Sequence, residues 1–289
     1  MHEGEVEIDT ALVTRLVAAQ FPALADRPVQ AVRSTGTVNA IYRLGDDLYA
    51  RLPRVAKWAA DLEREWEWLP RLAPLLPLAV PTPVWQGRAG DAYPFSWAIY
   101  AWIDGDPYAE ALVDDPCAVA DALADFVAAL RRIEPVSGAP RGGRRPLREL
   151  DAMTRDAIAA AARDVDATAA TAAWERALEA PVWDGTPVWI HGDLLPPNLL
   201  VRDGGLAAAI DFGGAGVGDP ATDVIPAWSV FGPAARTRYR AGLKVGDGTW
   251  ERARGIALHQ AAMIVPYYRE SNSAFTAMAV RTIQQLLSD

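Results

Sequence analysis

Two periods of apolar and polar residues run along this chain, and the change from one to the other divides it. A first helix spans about Thr10 to Gln20, after which Val29–Leu52 reads as short strands separated by polar turns. Ile41, Arg43 and the pair Asp46-Asp47 fit a strand–turn–strand unit around Gly45. Helical spacing returns with Leu62, Trp66, Leu69 and Leu72, predicting an amphipathic helix over roughly 57–73. Pro74, Pro77, Pro81 and Pro83 end it. Val84–Gln86 and Phe95–Ile103 read as two further strands, joined by a turn at Gly90-Asp91.

The turn residues Asp104-Gly105-Asp106-Pro107 form a seam. Beyond it the pattern is mainly helical, starting at Asp115-Pro116, where Asp caps and Pro takes the first helical position. A Pro/Gly/Arg stretch over 134–146 reads as an exposed connection, and helices return over about 147–180. A strand-and-loop block covers 187–213, and helices close the chain from about 221 to 288. The expectation is a β-rich lobe over residues 1–104 and a larger, mainly helical lobe over 105–289. Ligands often lie in the cleft between two such units.

Composition narrows the function classes. The 289 residues carry 28 Lys plus Arg against 37 Asp plus Glu, a net charge of −9, and 51 % are hydrophobic. That hydrophobic share is too high for disorder. An acidic balance argues against nucleic acid, whose phosphates need a basic stripe, and favours cationic or neutral partners. No apolar run reaches the roughly 18 residues of a membrane span, and the acidic start at Glu3, Glu5, Glu7 and Asp9 is unlike a signal peptide. A single Cys117 excludes an intrachain disulfide and a cysteine-based zinc cluster, so a reducing cytoplasm is the expected location. Only two basic residues are lysines, Lys57 and Lys244, which restricts the choice of a phosphate-binding lysine.

Candidate chemistry concentrates in Val188–Asp223, VWIHGDLLPPNLLVRDGGLAAAIDFGGAGVGDPATD. A short apolar strand, Val188–Ile190, runs into the loop from His191 to Asn198. Leu199–Val201 and Leu206–Ile210 then form a hairpin across Arg202-Asp203-Gly204-Gly205, which brings Asn198 and Asp211 to one open end, with Asp193 just before them. A carboxylate with an amide suits a hard cation such as Mg²⁺, completed by waters and substrate phosphates. A further carboxylate five residues upstream is free to accept a hydroxyl proton, and together these are the parts phosphoryl transfer needs. His191 reads as a structural hydrogen-bonding residue rather than a base.

The order H-x-D-x4-N…D-F-G resembles the aminoglycoside phosphotransferase family, kinase-like small-molecule phosphotransferases that include macrolide kinases and choline-kinase-like enzymes. The resemblance implies an α+β, bilobal protein-kinase-like fold and extends over nearly the whole chain. Ser34-Thr35-Gly36-Thr37 looks like the loop that covers the nucleotide phosphates, and Glu65, in Leu62–Trp66, like the helix glutamate that orients a phosphate-binding cation. Ser96–Gly105 looks like the interlobe hinge, where the backbones of Ala101 and Ile103 would bond adenine. Gly218–Asp223 matches the segment in which Asp223 would brace the catalytic loop, with His191 in support. By the same resemblance Asp193 orients or deprotonates the acceptor hydroxyl, while Asn198 and Asp211 hold Mg²⁺ against the phosphates of ATP or GTP. Many members carry a lysine on the third strand; here the matching position is Arg51, with Lys57 six residues on. Arginine grips phosphate bidentately and keeps its charge, so Arg51 with Glu65 is the favoured pair and Lys57 a surface residue.

The expected activity is phosphotransfer to a hydroxyl of a small molecule, first an antibiotic such as an aminoglycoside or macrolide. A metabolic alcohol (sugar, homoserine or choline-like) is an alternative, and so is a non-catalytic nucleotide-binding pseudokinase. Trp228, Tyr267 and Glu270 lie in C-terminal helices where the family places its acceptor pocket, with core packing an equal reading. An acidic face from Asp151, Asp156, Asp164 and Asp166 would suit an aminoglycoside's ammonium groups, a solvated helix surface being the plainer account. Monomer and homodimer are both open.

Overall fold

Asp9 starts the first helix: its Oδ1 accepts from the Leu12 N–H at 2.7 Å, and α1 (Thr10–Gln20) follows. The structure is a computed structural model and describes residues 5–32 and 39–289. β1 (Val29–Ala31) comes next, then β2 (Asn39–Leu44) and β3 (Leu48–Pro53), paired antiparallel with Ile41 opposite Arg51 and Leu44 opposite Leu48. Gly45 makes their turn at φ +66°, a left-handed conformation that suits glycine. α2 (Ala59–Leu72), β4 (Pro83–Gly87) and β5 (Trp97–Ala101) complete an antiparallel sheet of order β1-β2-β3-β5-β4.

The alternation along β3 gives its two faces different tasks. Leu48, Ala50 and Leu52 join Ala40, Tyr42, Leu44, Trp97 and Ile99 in one apolar cluster with Leu12, Val13, Leu16 and Val17 of α1. Burying each of these large side chains contributes about 1.5–3 kcal/mol, enough to fix the register. Tyr49 and Arg51 therefore point to the other face, with Tyr100 stacked on Tyr49 at 5.2 Å. In α2 the buried positions are Leu62, Glu65, Trp68, Leu69 and Leu72. The apolar stripe expected from Leu62, Trp66, Leu69 and Leu72 is thus rotated slightly: Trp66 is half-buried, and a carboxylate occupies a core position. Glu63 and Glu67, which flank Glu65, are exposed.

These elements, with Ile210–Gly213, form one compact unit; the other comprises Leu76–Leu78, Gly105–Ala209 and Gly214–Asp289. The second unit begins with β6 (Asp106–Pro107) and α3 (Pro116–Arg132), where Asp115 caps by accepting from the Cys117 N–H at 2.8 Å. α4 (Asp151–Ala160) and α5 (Ala167–Leu178) follow, then β7 (Val188–Ile190), β8 (Leu199–Arg202), β9 (Gly205–Ala209) and β10 (Gly216–Gly218). α6 (Pro226–Ser229), α7 (Pro233–Leu243), α8 (Asp247–Tyr268) and α9 (Ser273–Leu287) close the chain. Among the described residues no helix is long and apolar enough to cross a membrane.

The expected hairpin forms as β8 and β9, with Asp203 and Gly204 at φ +51° and +74° in a two-residue turn. β6 extends it, while β7 pairs antiparallel with β10, a Gly-Val-Gly segment whose short pattern carried no strand signal. The 134–146 segment is mostly exposed, as expected, and is also tied down by backbone hydrogen bonds. The Gly142 N–H donates to Val217 O at 3.2 Å and the Val217 N–H to Pro140 O at 2.7 Å. A Cβ on Gly143, at φ +81°, would lie 2.8 Å from Ile190 Cδ1 and 2.9 Å from Thr222 Oγ1. The loop is docked on β7 and β10.

Candidate functional site

In the β-rich unit the outward face of β3 carries the first cluster. Arg51 Nη1 lies 2.7 Å from both Glu65 oxygens, and Nη2 donates to Asp211 Oδ1 at 2.9 Å. Arg51 is 6 % exposed and Glu65 1 %. Tyr100 OH donates to Glu65 Oε2 at 2.9 Å, and with its amide turned, Asn39 places an oxygen 2.9 Å from both Nε and Nη2 of Arg51. Burial pushes the Glu65 pKa up and the Arg51 charge opposes it. Burial also works against the Arg51 charge, but Glu65 and Asp211 outweigh it and hold that pKa well above the ordinary arginine range.

Asp211 sits at φ +66°, a conformation a non-glycine residue adopts at a cost of about 1–3 kcal/mol. Its side chain is 45 % exposed, so one carboxylate oxygen is fixed by Arg51 while the group stays open to solvent. Asp61, one turn before Glu65 on α2, lies near it; burial chiefly raises the Asp61 pKa, and the Asp211 charge adds to the rise. Lys57 is exposed. Ser34, Thr35, Gly36 and Thr37 lie outside the described residues. Ala101 donates its N–H to Thr82 O at 3.0 Å, which leaves its carbonyl as the group it could offer a purine, and the Trp102 N–H goes to Asp47 O at 2.8 Å beside Ile103.

In the helical unit the second cluster is built on the loop after β7. Asp223 is fully buried, and its carboxylate accepts the backbone N–H groups of His191 at 2.7 Å and Gly192 at 2.9 Å. Burial is the main influence on Asp223 and raises its pKa, with His191 and the two N–H donors opposing the rise. Gly192 has φ +88°, and a Cβ there would lie 2.6 Å from Gly214 O, so no other residue fits the turn. His191 Nδ1 accepts from the Asp193 N–H at 3.3 Å, a structural role in keeping with its full burial.

Three side chains surround the Asp193 carboxylate. Asn198 Nδ2 donates to Oδ2 at 3.0 Å and to the Asp193 carbonyl at 2.9 Å. Gln260 Nε2, from α8, donates to Oδ1 at 2.9 Å. Arg144, on the docked loop, brings Nη2 to 4.0 Å from the same oxygen. The Asp193 side chain is 35 % exposed, so a hydroxyl can reach it.

The structure thus joins Asp193 to Asn198 and Arg51 to Glu65 and Asp211. It does not gather the residues expected to line an acceptor pocket. Trp228 is wholly buried against Trp250 and donates to Asp289 at 3.1 Å; Tyr267 is 59 % exposed; Glu270 pairs with Arg163 at 3.2 Å in solvent. The aspartates that could have formed an acidic face are largely engaged elsewhere, in keeping with the plainer reading of a helix surface. Asp151 accepts from Trp174 and Arg155, Asp164 from Arg269, and Asp166 caps α5. Sequence reading passed over Asp61, Tyr100, Arg144 and Gln260, and took Asn39 only as part of the phosphate-loop motif. Of these, Asp61 alone carried a local signal, its i,i+4 spacing to Glu65.

The chain matches the model of the phosphotransferase enzyme family over residues 30–256. It belongs to that family. This phosphotransferase resembles the GDP complex of wild-type aminoglycoside 2′-phosphotransferase-IIIa, with 20 % identity, 97 % of this chain and 99 % of that chain covered, and a TM-score of 0.73. The GDP and kanamycin complex of APH(2″)-IIIa aligns with 20 % identity over 96 % of this chain and 98 % of that one, TM-score 0.72. The macrolide 2′-phosphotransferase MphH from Brachybacterium faecium aligns with 22 % identity over 95 % and 97 %, TM-score 0.61. At these identities the likeness shows the fold, the kinase-like α+β class expected from the sequence. No curated protein sequence matches the chain.

Proposed function

We propose that this phosphotransferase moves the γ-phosphoryl group of ATP or GTP to a hydroxyl of a small molecule, with Asp193 orienting that hydroxyl and accepting its proton. What carries the reading is the hold on Asp193: one oxygen bonded to Asn198, the other to Gln260, on a loop pinned by Asp223. A base kept in one rotamer and open to a hydroxyl is poised for proton transfer.

Mg²⁺ fits the residues assigned to it. The Asn198 amide nitrogen is committed to Asp193, so its oxygen is the end left for a hard cation, and Asp211 offers a half-exposed carboxylate. Asn198 and Asp211 would hold the ion, which when bound neutralises charge on the nucleotide phosphates. Arg51, oriented by Glu65, supplies the fixed cation for the α- and β-phosphates, and Ser34–Thr37 with the backbones of Ala101 and Ile103 complete the nucleotide site. Use of ATP or GTP suits the cytoplasm.

An antibiotic of the aminoglycoside or macrolide type is the first acceptor class, by family. Structures of similar fold include a kanamycin complex and a macrolide 2′-phosphotransferase. A second reading, a metabolic alcohol bearing a neutral or anionic group, is favoured by Arg144 beside Asp193 and by the engagement of Asp151, Asp164 and Asp166. A polycation would meet like charge there. The test is Mg²⁺-dependent release of ADP or GDP across a panel of antibiotics and hydroxylated metabolites, with Asp193→Asn as the blank. Acceptor-dependent release by the wild type alone supports the reading; equal release by the variant refutes it.

A further inference from the structure

We infer that Gln260 is a positioning residue for phosphoryl transfer, holding the Asp193 carboxylate in line through its side-chain amide; this rests on the proposed role of Asp193. The pairing is directional. A carboxylate only accepts, so the Gln260 amide must turn its NH₂ toward Oδ1, at 2.9 Å, as the Asn198 amide does toward Oδ2 at 3.0 Å. One donor on each oxygen fixes both the position and the rotation of the carboxylate plane, which a single bond leaves free. Arg144, at 4.0 Å from Oδ1 and exposed, is too distant to replace the hydrogen bond.

The anchoring of Gln260 supports this task. It is 9 % exposed and lies in the middle of α8, which packs against α9, α4 and α5. Its neighbour His259 is tied to α4 by Thr154 Oγ1 at 2.8 Å from Nδ1. The donor therefore comes from the rigid interior of the helical unit, whereas Asn198 comes from the same loop as Asp193. An amide buried beside a carboxylate is a costly way to fill space, because any apolar side chain of that volume would pack as well.

Packing and positioning predict different orders of activity. Gln260→Met keeps volume and length but removes the donor. Gln260→Glu keeps the shape and sets a like charge against Asp193. The proposal expects kcat to fall in the order wild type, Met, Glu, with about a 10–100-fold loss for Met, the range of a hydrogen bond to a charged group. The nucleotide KM and the thermal midpoint of Gln260→Met should stay near wild type. Activity is read as ADP or GDP release with kanamycin or a macrolide and, without acceptor, with water. Equal kcat in wild type and Gln260→Met overturns the proposal.

A second measurement needs no turnover. The Gln260 side-chain NH₂ resonance, assigned by its loss in Gln260→Met, is expected to move in Asp193→Ala; an unmoved resonance also overturns the proposal. If the resonance moves while the wild type turns over no acceptor and no water, the contact stands and the phosphotransfer role of Asp193 is what fails.

Discussion

Arg51 presents a single nitrogen, Nη1, to both oxygens of Glu65, each at 2.7 Å. That economy matters because Nη2 is then left for Asp211 and for the turned amide of Asn39. A lysine has three rotatable N–H groups on one nitrogen and could reach both carboxylates, but without the preset planar fork that a guanidinium offers them. The arginine is therefore more than a stand-in for the family's lysine: it links the helix glutamate to the proposed metal ligand before any nucleotide arrives. Arg51→Lys is expected to weaken nucleotide binding tenfold or more, about 1.4 kcal/mol. Titration calorimetry with ADP or GDP and Mg²⁺ checks this, and an unchanged Kd would remove Arg51 from the phosphate site.

Glu65 tests the same pair from the stability side. Both partners are buried, so removing the carboxylate leaves a guanidinium without its main counter-charge in the interior. Glu65→Ala should cost about 3–5 kcal/mol, read from the urea midpoint, whereas Lys57→Ala, on the exposed turn before α2, should stay within about 0.5 kcal/mol. A larger effect at Lys57 than at Glu65 would reverse the assignment of the cation.

Much of this was legible in the sequence because local patterns and the fold agree. Asp115-Pro116 begins a helix, Gly45 and Asp203-Gly204 turn hairpins, and the spacing of Asp193 and Asn198 brings them into hydrogen-bond contact. Two kinds of feature were not legible. Glu65 interrupts the apolar stripe of α2 because its partner, Arg51, comes from a strand 14 positions earlier, and the resemblance rather than the period singled it out. Gln260 lies 67 positions from Asp193, on a helix whose sequence carries no trace of the contact. The 134–146 segment is exposed, as its composition indicates, but its docking was not legible: Gly142 and Gly143 are there because the backbone runs too close to Gly216, Ile190 and Thr222 for a side chain.

Asp193→Asn keeps the shape of the carboxylate and discards its basicity. Phosphoryl transfer should fall by about 10²–10⁴-fold, the usual span for a general base, while nucleotide Kd changes little. Asp211→Ala should behave differently: added Mg²⁺ is expected to tighten nucleotide binding in the wild type and not in this variant. The pair of results separates the base from the metal ligand, and identical phenotypes would undo that division.

The docked loop predicts a steric cost at one position. Gly143→Ala sets a methyl within 3 Å of Ile190 Cδ1 and Thr222 Oγ1 and forces φ +81° on an L side chain. Such overpacking and strain cost about 1–3 kcal/mol each, so the urea midpoint should drop clearly. Gly138→Ala, also at positive φ but with open space around it, should cost less. Equal losses would mean that the 143 contact contributes nothing beyond backbone strain.

His259 gives the fold a pH dependence whose sign follows from its burial. Burial chiefly, with Arg144 and Arg145 adding to it, lowers its pKa from 6.5 to about 4. Thr154 gives its hydroxyl proton to Leu150 O at 2.8 Å, so its oxygen accepts from His259 Nδ1–H, while burial is what favours the neutral ring. In the unfolded chain the ring takes a proton below about 6.5, and in the folded protein only near 4. The unfolded state therefore binds more protons between these values. The stability this residue contributes is complete above 6.5 and is lost as pH falls toward 4, by on the order of 2 kcal/mol. Urea melts at pH 7 and pH 4.5 should show the loss, and His259→Gln, uncharged at both, should show less of it. A variant with the same pH slope as the wild type would assign the acid sensitivity to the buried carboxylates instead.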